Sequence, residues 1–302
     1  MKQLLLPKRT KEHWLYTNLR DWNDSHSAER REFFKSWWHE YAPFAPKGFP
    51  KKLQIEIHQR WWEMYLVVGL LHLGFIPNKS KTDIGPDVII DVGDQQVFIE
   101  ATAPSVGDPQ TSDRVPDRVY NKVTDFPERE CLLRLSQALT GKCRQIHDFV
   151  DEKKIPSDPC TIIALSASDL NQFGTHLDAA HPALLSVLAG AGPTVVPFDG
   201  KQPPYSSRRS TLKRNSGSEV DAALFEDKSF SIVSGVLYSA IDLWNATLHP
   251  ENTLTLFVNP LAINPIPYDF QKRFPRWIRN TPAGDKTVWG KLPPSNSPDI
   301  KP

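Results

Sequence analysis

The sequence predicts one α/β domain carried behind an N-terminal helical extension. Three observations predict it. Apolar residues recur at helical spacing in two stretches before residue 75, and again from Glu128 to Val150. Two short alternating runs, Val88–Val92 and Val97–Ala103, read as a β-hairpin that turns at Gly93-Asp94 and is stopped by Pro104. Further β-branched and aromatic runs follow the long helix at Ile162–Leu165, Phe230–Tyr238 and Thr253–Val258. Alternation of this kind packs helices against a sheet.

Residues 1–50 form the extension. Within it, Ser27 to Tyr41 places Phe33, Phe34, Trp37, Trp38 and Tyr41 three and four residues apart, which gives a helix one apolar face for the main domain. Ser27 is its weak start signal, with no Glu or Gln three residues on. Pro43, Pro46 and Pro50 break it. The α/β domain spans 51–281. Its first helix runs from about Ile55 to Leu73, with Gly74 as the stop. Nearly every residue from Met64 to Leu73 is apolar, so this helix is buried on most sides. A polar loop at Ser105–Arg114 precedes the long helix Glu128–Val150, whose core face is Leu132, Leu135, Leu139, Ile146, Phe149 and Val150. Pro182–Gly190 reads as a short helix. Tyr205–Ser218, with Arg208, Arg209, Lys213 and Arg214, reads as a solvated loop in preference to a phosphate contact. Ala222–Phe225 reads as a short strand, and 282–302 as a loose, polar, Pro-rich tail.

Composition narrows the function classes. The 302 residues are 39% hydrophobic and 24% charged, a globular profile, and the net charge of +1 supplies no global field toward nucleic acid or membrane. Any nucleic-acid contact therefore needs a local basic patch. Cys131, Cys143 and Cys160 are odd in number and form no CxxC pair, which argues for a reducing, cytoplasmic setting and against a zinc site. The apolar start before Pro7 is too short for a signal peptide, and no apolar run reaches membrane-spanning length, so no membrane partner is expected. HExxH, GxSxG and the P-loop are absent, and His176 and His181 stand five apart, off a common helix face.

Candidate chemistry sits on the hairpin. Val88, Ile90 and Val92 share one strand face, as do Val97, Ile99 and Ala101. The opposite faces carry Asp87 and Asp91, then Glu100 and Thr102. Clustered carboxylates in a low-dielectric site need a cation or a proton, so a divalent metal is the first expectation. Asp91 lies about 13 Å beyond Asp87 by strand rise and reads as a surface acid. Glu63 heads an apolar stripe of Leu66, Val67 and Leu70 and needs a partner. Taken alone, it reads first as a salt-bridge partner of Arg60 or as a surface-edge position.

Taken in order, Glu63 on a helix, Gly85-Pro86-Asp87 and Glu100-Ala101-Thr102 resemble the PD-(D/E)xK nuclease superfamily of restriction endonucleases and repair exonucleases. The resemblance covers roughly Leu53 to Leu165. Pro86-Asp87 stands for PD, Glu100 for the second acid thirteen residues on, and Gln145 with Phe149 is similar to the QxxxY helix of the RecB-like branch. It implies a restriction endonuclease-like mixed central sheet flanked by helices. It also implies Mg²⁺ or Mn²⁺ held by Asp87, Glu100 and the Ala101 carbonyl, with Glu63 acting through water or on a second ion. The implied substrate is DNA, in restriction or defence, and double-strand cleavage would suit a homodimer. One departure divides the readings. Thr102 occupies the motif lysine and carries no charge. Either a cation from another element replaces it, with Lys142 beside Gln145 as the first candidate, or the chain is an inactive nuclease-fold module that binds nucleic acid or protein. An ordinary solvated helix lysine is the competing reading of Lys142.

Overall fold

The computed structural model of the protein describes residues 4–78, 85–117, 125–170, 183–196, 198, 205–280 and 288–295. His176 and His181 lie outside them. Four helices come first: α1 (Trp14–Asp21), α2 (Ser25–Tyr41), α3 (Phe49–Leu53) and α4 (Ile57–His72). The cap of α2 is Asp24 rather than Ser27. Its carboxylate accepts the Ser27 N–H at 2.9 Å and the Ser27 hydroxyl at 2.6 Å. Helix α4 stops as expected, because Gly74 takes φ +87° and Phe75 N–H returns to Leu70 O at 2.9 Å.

The hairpin follows as β1 (Val88–Val92) and β2 (Gln95–Thr102), turned at Gly93 with φ +60°. Helix α5 (Glu128–Asp151) then crosses over to β3 (Cys160–Ser166), which pairs parallel with β2. Next come α6 (Ala183–Leu188), β4 (Ala191–Val195), β5 (Tyr205–Arg208), β6 (Thr211–Lys213) and β7 (Glu219–Asp221). The chain ends in β8 (Val233–Ser239), β9 (Thr255–Val258), α7 (Tyr268–Gln271), β10 (Arg276–Asn280) and β11 (Val288–Leu292). One seven-stranded mixed sheet has the order β1-β2-β3-β8-β9-β10-β11. β2, β3 and β8 run parallel, as do β9 and β10, and the other pairings are antiparallel.

Both faces of the sheet are covered. Val88, Ile90, Val92, Val97, Ile99 and Ala101 all face α4, in one core with Trp61, Trp62, Leu15, Phe34, Trp37 and Phe49. The helices of residues 1–50 therefore share the core of the sheet. Trp62 shows how closely α4 seats: its ring N–H donates to Ala164 O of β3 at 2.9 Å, fully buried. On the opposite face α5 and α6 pack Leu132, Leu135, Leu139, Leu184 and Leu188 against Phe98, Ile163 and Val236.

Three expectations are corrected. Tyr205–Ser218 is not a plain loop: β5 pairs with β4, and β6 with β7. Its alternating Tyr-Ser-Ser-Arg and Thr-Leu-Lys pattern is too short and polar to outweigh the turn residues around it. Arg208 is tied to Glu226, and Arg209 lies 3.6 Å from Glu128, so both cations have internal partners. Ala222–Phe225 is not a strand, because Ala223 adopts φ +63° and starts a 3₁₀ turn at Leu224–Glu226. The segment 282–302 contains the edge strand β11, which lies antiparallel to β10. Among the described residues no helix is long and apolar enough to cross a membrane. All three cysteines are free and buried, and burial pushes the Cys131 thiol up to about 12 and those of Cys143 and Cys160 up to about 11, which leaves them unreactive.

Gly235 in β8 is a point of close approach within the sheet. A Cβ there would lie 2.7 Å from both Phe257 O and Ile266 Cδ1, and the carbonyl cannot yield without breaking the β8–β9 ladder. Gly235→Ala is expected to destabilise the fold by about 1–3 kcal/mol. Urea unfolding should show this as a lower midpoint at unchanged slope, and an unchanged midpoint would show that the strand pair relaxes freely.

Candidate functional site

The site forms where β2 outruns β1. The β1–β2 pairing ends at Val88↔Ile99, because Gly85-Pro86 turns the chain away and Pro86 has no N–H to offer. Side chains take over the backbone groups left open on that edge of β2. Asp87 Oδ2 accepts the Ala101 N–H at 2.8 Å. Gln59 of α4 donates from Nε2 to Ala101 O at 3.2 Å, and its Oε1 accepts the Ala103 N–H at 2.9 Å. The amide of Gln59 thus replaces a strand neighbour. The same Nε2 donates to Glu63 Oε1 at 3.0 Å, one helical turn away.

On the opposite face of β2, Glu100 is buried, at 2% exposure. Lys142 of α5 donates from Nζ to Glu100 Oε2 at 2.7 Å and lies 3.9 Å from Asp87 Oδ2. Burial, with the Asp87 charge adding to it, pushes the Glu100 carboxyl up to about 7, and Lys142 works against that rise. Glu100 Oε1 is buried and has no hydrogen-bond partner among the described residues. An orphaned carboxylate oxygen is costly unless something cationic meets it. The Asp87 carboxylate shares Lys142 with Glu100 and accepts the Ala101 N–H, and the Ala101 carbonyl retains a second lone pair beyond the Gln59 bond. This is an all-oxygen donor set, and it suits a hard divalent cation such as Mg²⁺ or Mn²⁺.

Glu63 is 6% exposed and is gripped by Arg60 Nη1 at 2.6 and 2.8 Å. The salt bridge offered by the sequence as its structural alternative is therefore formed. Burial still pushes its carboxyl upward, Arg60 opposes this, and Asp87 is near enough to add to the rise. Glu63, Arg60 and Asp87 line one cleft of about 580 Å³ together with Tyr41, Lys47 and Lys52. Neither Lys47 nor Lys52 is in an ion pair among the described residues.

The sequence-derived residues divide as follows. Asp87, Glu100, Ala101 and Lys142 meet directly, and Glu63 joins them through Gln59. Thr102 ends β2 on the Glu100 face, half-buried, in register with Leu165. Gln145 lies half-buried one turn beyond Lys142, with no side-chain hydrogen bond among the described residues. Asp91 is exposed and accepts from Asn78 at 3.1 Å and Gln96 at 3.0 Å, away from the site. Gln59 was not singled out from sequence, although its position four residues before Glu63 carried a usable signal. No protein-family model matches this chain, and neither a curated protein nor a solved structure gives a significant match.

Proposed function

We propose that this chain is a divalent-metal-dependent nuclease of restriction endonuclease-like, PD-(D/E)xK-like architecture that hydrolyses DNA phosphodiester bonds. The observation that carries this reading is the cluster of Lys142, Glu100 and Asp87, with one buried Glu100 oxygen left without a partner among the described residues. Asp87, Glu100 and the Ala101 carbonyl would hold Mg²⁺ or Mn²⁺, and Glu63 would act through water. When bound, such an ion lowers the pKa of a coordinated water and offsets charge on the phosphoryl oxygens. The protein's own groups supply the rest. Lys142 brings to the carboxylate pair the positive charge that Thr102 lacks, and offers N–H donors to an attacking water or a phosphoryl oxygen. Gln59 fixes the Ala101 carbonyl, and Lys47 and Lys52 give the cleft a local basic wall for backbone phosphates. In the reaction a water oxygen bonds to phosphorus, one ester P–O bond breaks, and a phosphomonoester and a free hydroxyl result.

The test is incubation of the purified protein with supercoiled and linear DNA in Mg²⁺ or Mn²⁺, alongside Asp87→Ala and Glu100→Ala. Wild-type cleavage is expected, with a loss of about 10²–10³-fold in each variant, the scale at which losing an electrostatic stabiliser acts. Cleavage that survives both substitutions would sink the site. A second reading, an inactive nuclease-fold module that binds nucleic acid or protein, is favoured by Thr102 and by the Arg60 grip on Glu63. DNA retention without cleavage under either metal would establish it.

A further inference from the structure

The C-terminal end of α4 carries a second group of ligand-type side chains, on the far side of the helix's length from Gln59. Gly69 makes it possible. Its bare Cα lets the 3₁₀ turn Pro250–Thr253 seat directly on α4: a Cβ there would meet Leu254 Cδ1 at 3.0 Å and Glu251 N at 3.3 Å. Tyr65 fastens the same turn through Thr253 Oγ1 at 3.1 Å. Seated this way, the turn brings Glu251 and His249 up to His72, one helical turn beyond Gly69. His72 Nδ1 lies 2.9 Å from Glu251 Oε2, and His249 Nδ1 lies 3.3 Å from Glu251 Oε1. One ligand atom from each of the three residues falls within 4.8 Å of the others. From α2, Glu40 Oε2 meets the other ring nitrogen of His72 at 2.8 Å.

We propose that His72, His249 and Glu251 bind a zinc-class divalent cation, with Glu40 as the carboxylate that orients His72. The donor set carries the assignment. Two imidazole nitrogens and one carboxylate form the His₂Glu set that suits Zn²⁺, and imidazole disfavours Mg²⁺. Ligands held about 2.0–2.2 Å from a tetrahedral ion stand roughly 3.4 Å apart, and the two pairs, at 2.9 and 3.3 Å, lie just inside that spacing. His249 is the most exposed of the three, so its ring is free to swing the remaining distance. The Glu40 contact is independent of the ligand count. A carboxylate on the second nitrogen is how a metal-bound histidine is held in one tautomer and one orientation, here with Nδ1 turned toward Glu251. A fourth position is left for water. Because the ligands come from α4 and the 250-turn, and Glu40 from α2, a bound ion would clamp the helical layer to the strand connection before β9. Thiolate arithmetic could not reveal this site, since it contains no cysteine and its two histidines are 177 residues apart, at 72 and 249.

The test is a titration of metal-free protein with Zn²⁺ by calorimetry, and with Co²⁺ by visible absorption. One equivalent is expected to bind with a Co²⁺ d–d band, and to raise the unfolding temperature. His249→Ala, at an exposed position that leaves the fold intact, should weaken binding at least about tenfold and abolish the band. Glu40→Gln should weaken it about 10–100-fold, the scale of losing an outer-shell partner. Asp87→Ala should leave both the affinity and the band unchanged, which separates this site from the carboxylate cluster on β2. Binding that His249→Ala and Glu40→Gln leave intact, or that Asp87→Ala removes, would overturn the proposal. So would the absence of any Zn²⁺-dependent shift in unfolding temperature.

Discussion

Lys142→Met is expected to lower Mg²⁺-dependent DNA cleavage by about 10²–10³-fold while the protein stays folded. The side chain lies on the solvent-side shoulder of α5 and is 18% exposed, so methionine keeps the helix and much of the stem packing. What disappears is the only cation that meets both Glu100 and Asp87 among the described residues, 2.7 and 3.9 Å away. Two further variants make the result specific to charge. Lys142→Arg should recover only part of the rate, because a planar fork cannot reproduce a point charge between two carboxylates. Thr102→Lys added to Lys142→Met should recover more. Residue 102 lies two positions past Glu100, on the same strand face, so an ammonium there approaches the same carboxylates from the sheet. Single-turnover rates at saturating Mg²⁺ check this. A Lys142→Met rate equal to wild type would return Lys142 to the status of a structural partner for Glu100.

This charge relocation also shows what the sequence could and could not disclose. Strand alternation was enough to assign Val88, Ile90, Val92, Val97, Ile99 and Ala101 to one buried face and to leave Glu100 on the other. The apolar density of α4 and the periodicity of α5 were equally legible, because long periodic segments speak through many residues at once. Lys142 was reachable only as a candidate. Its distance from Glu100 depends on how the α5 crossover returns to β3, a tertiary relation that no local pattern encodes. Gln59 was less visible still. Its role arises because β1 starts only at Val88, after Pro86, and leaves the Ala101 and Ala103 backbone groups without a strand partner, and a lone Gln on a helix does not advertise that deficit. The small ladders β4–β5 and β6–β7 and the edge strand β11 were missed for the opposite reason. Their residues are polar and turn-like, and pairing with a neighbour, rather than intrinsic preference, makes them strands.

The second large effect concerns pH. Glu100 titrates near 7 in the folded protein, against an ordinary value of 4.5, chiefly because it is buried and also because Asp87 is close. Between those two values the folded state holds a proton that the unfolded chain has released. Stability from this group is therefore complete below pH 4.5 and is lost as pH rises through 7, by about 3 kcal/mol in all. Glu100→Gln removes the ionisation. The difference in unfolding free energy between this variant and wild type should therefore shift in the variant's favour across that window, and hold constant above it. A bound Mg²⁺ reverses the balance for the wild type, since the ion needs the charged carboxylate and must displace the proton. Mg²⁺ affinity should then rise about tenfold per pH unit up to about pH 7 and flatten beyond, with close to one proton released per ion bound at the acid end. Calorimetry in two buffers of different ionisation enthalpy measures that proton directly. A wild-type Mg²⁺ affinity that does not change between pH 4.5 and 7 would mean that Glu100 does not meet the ion. The buried, unpartnered Oε1 would then have to be explained by structure alone.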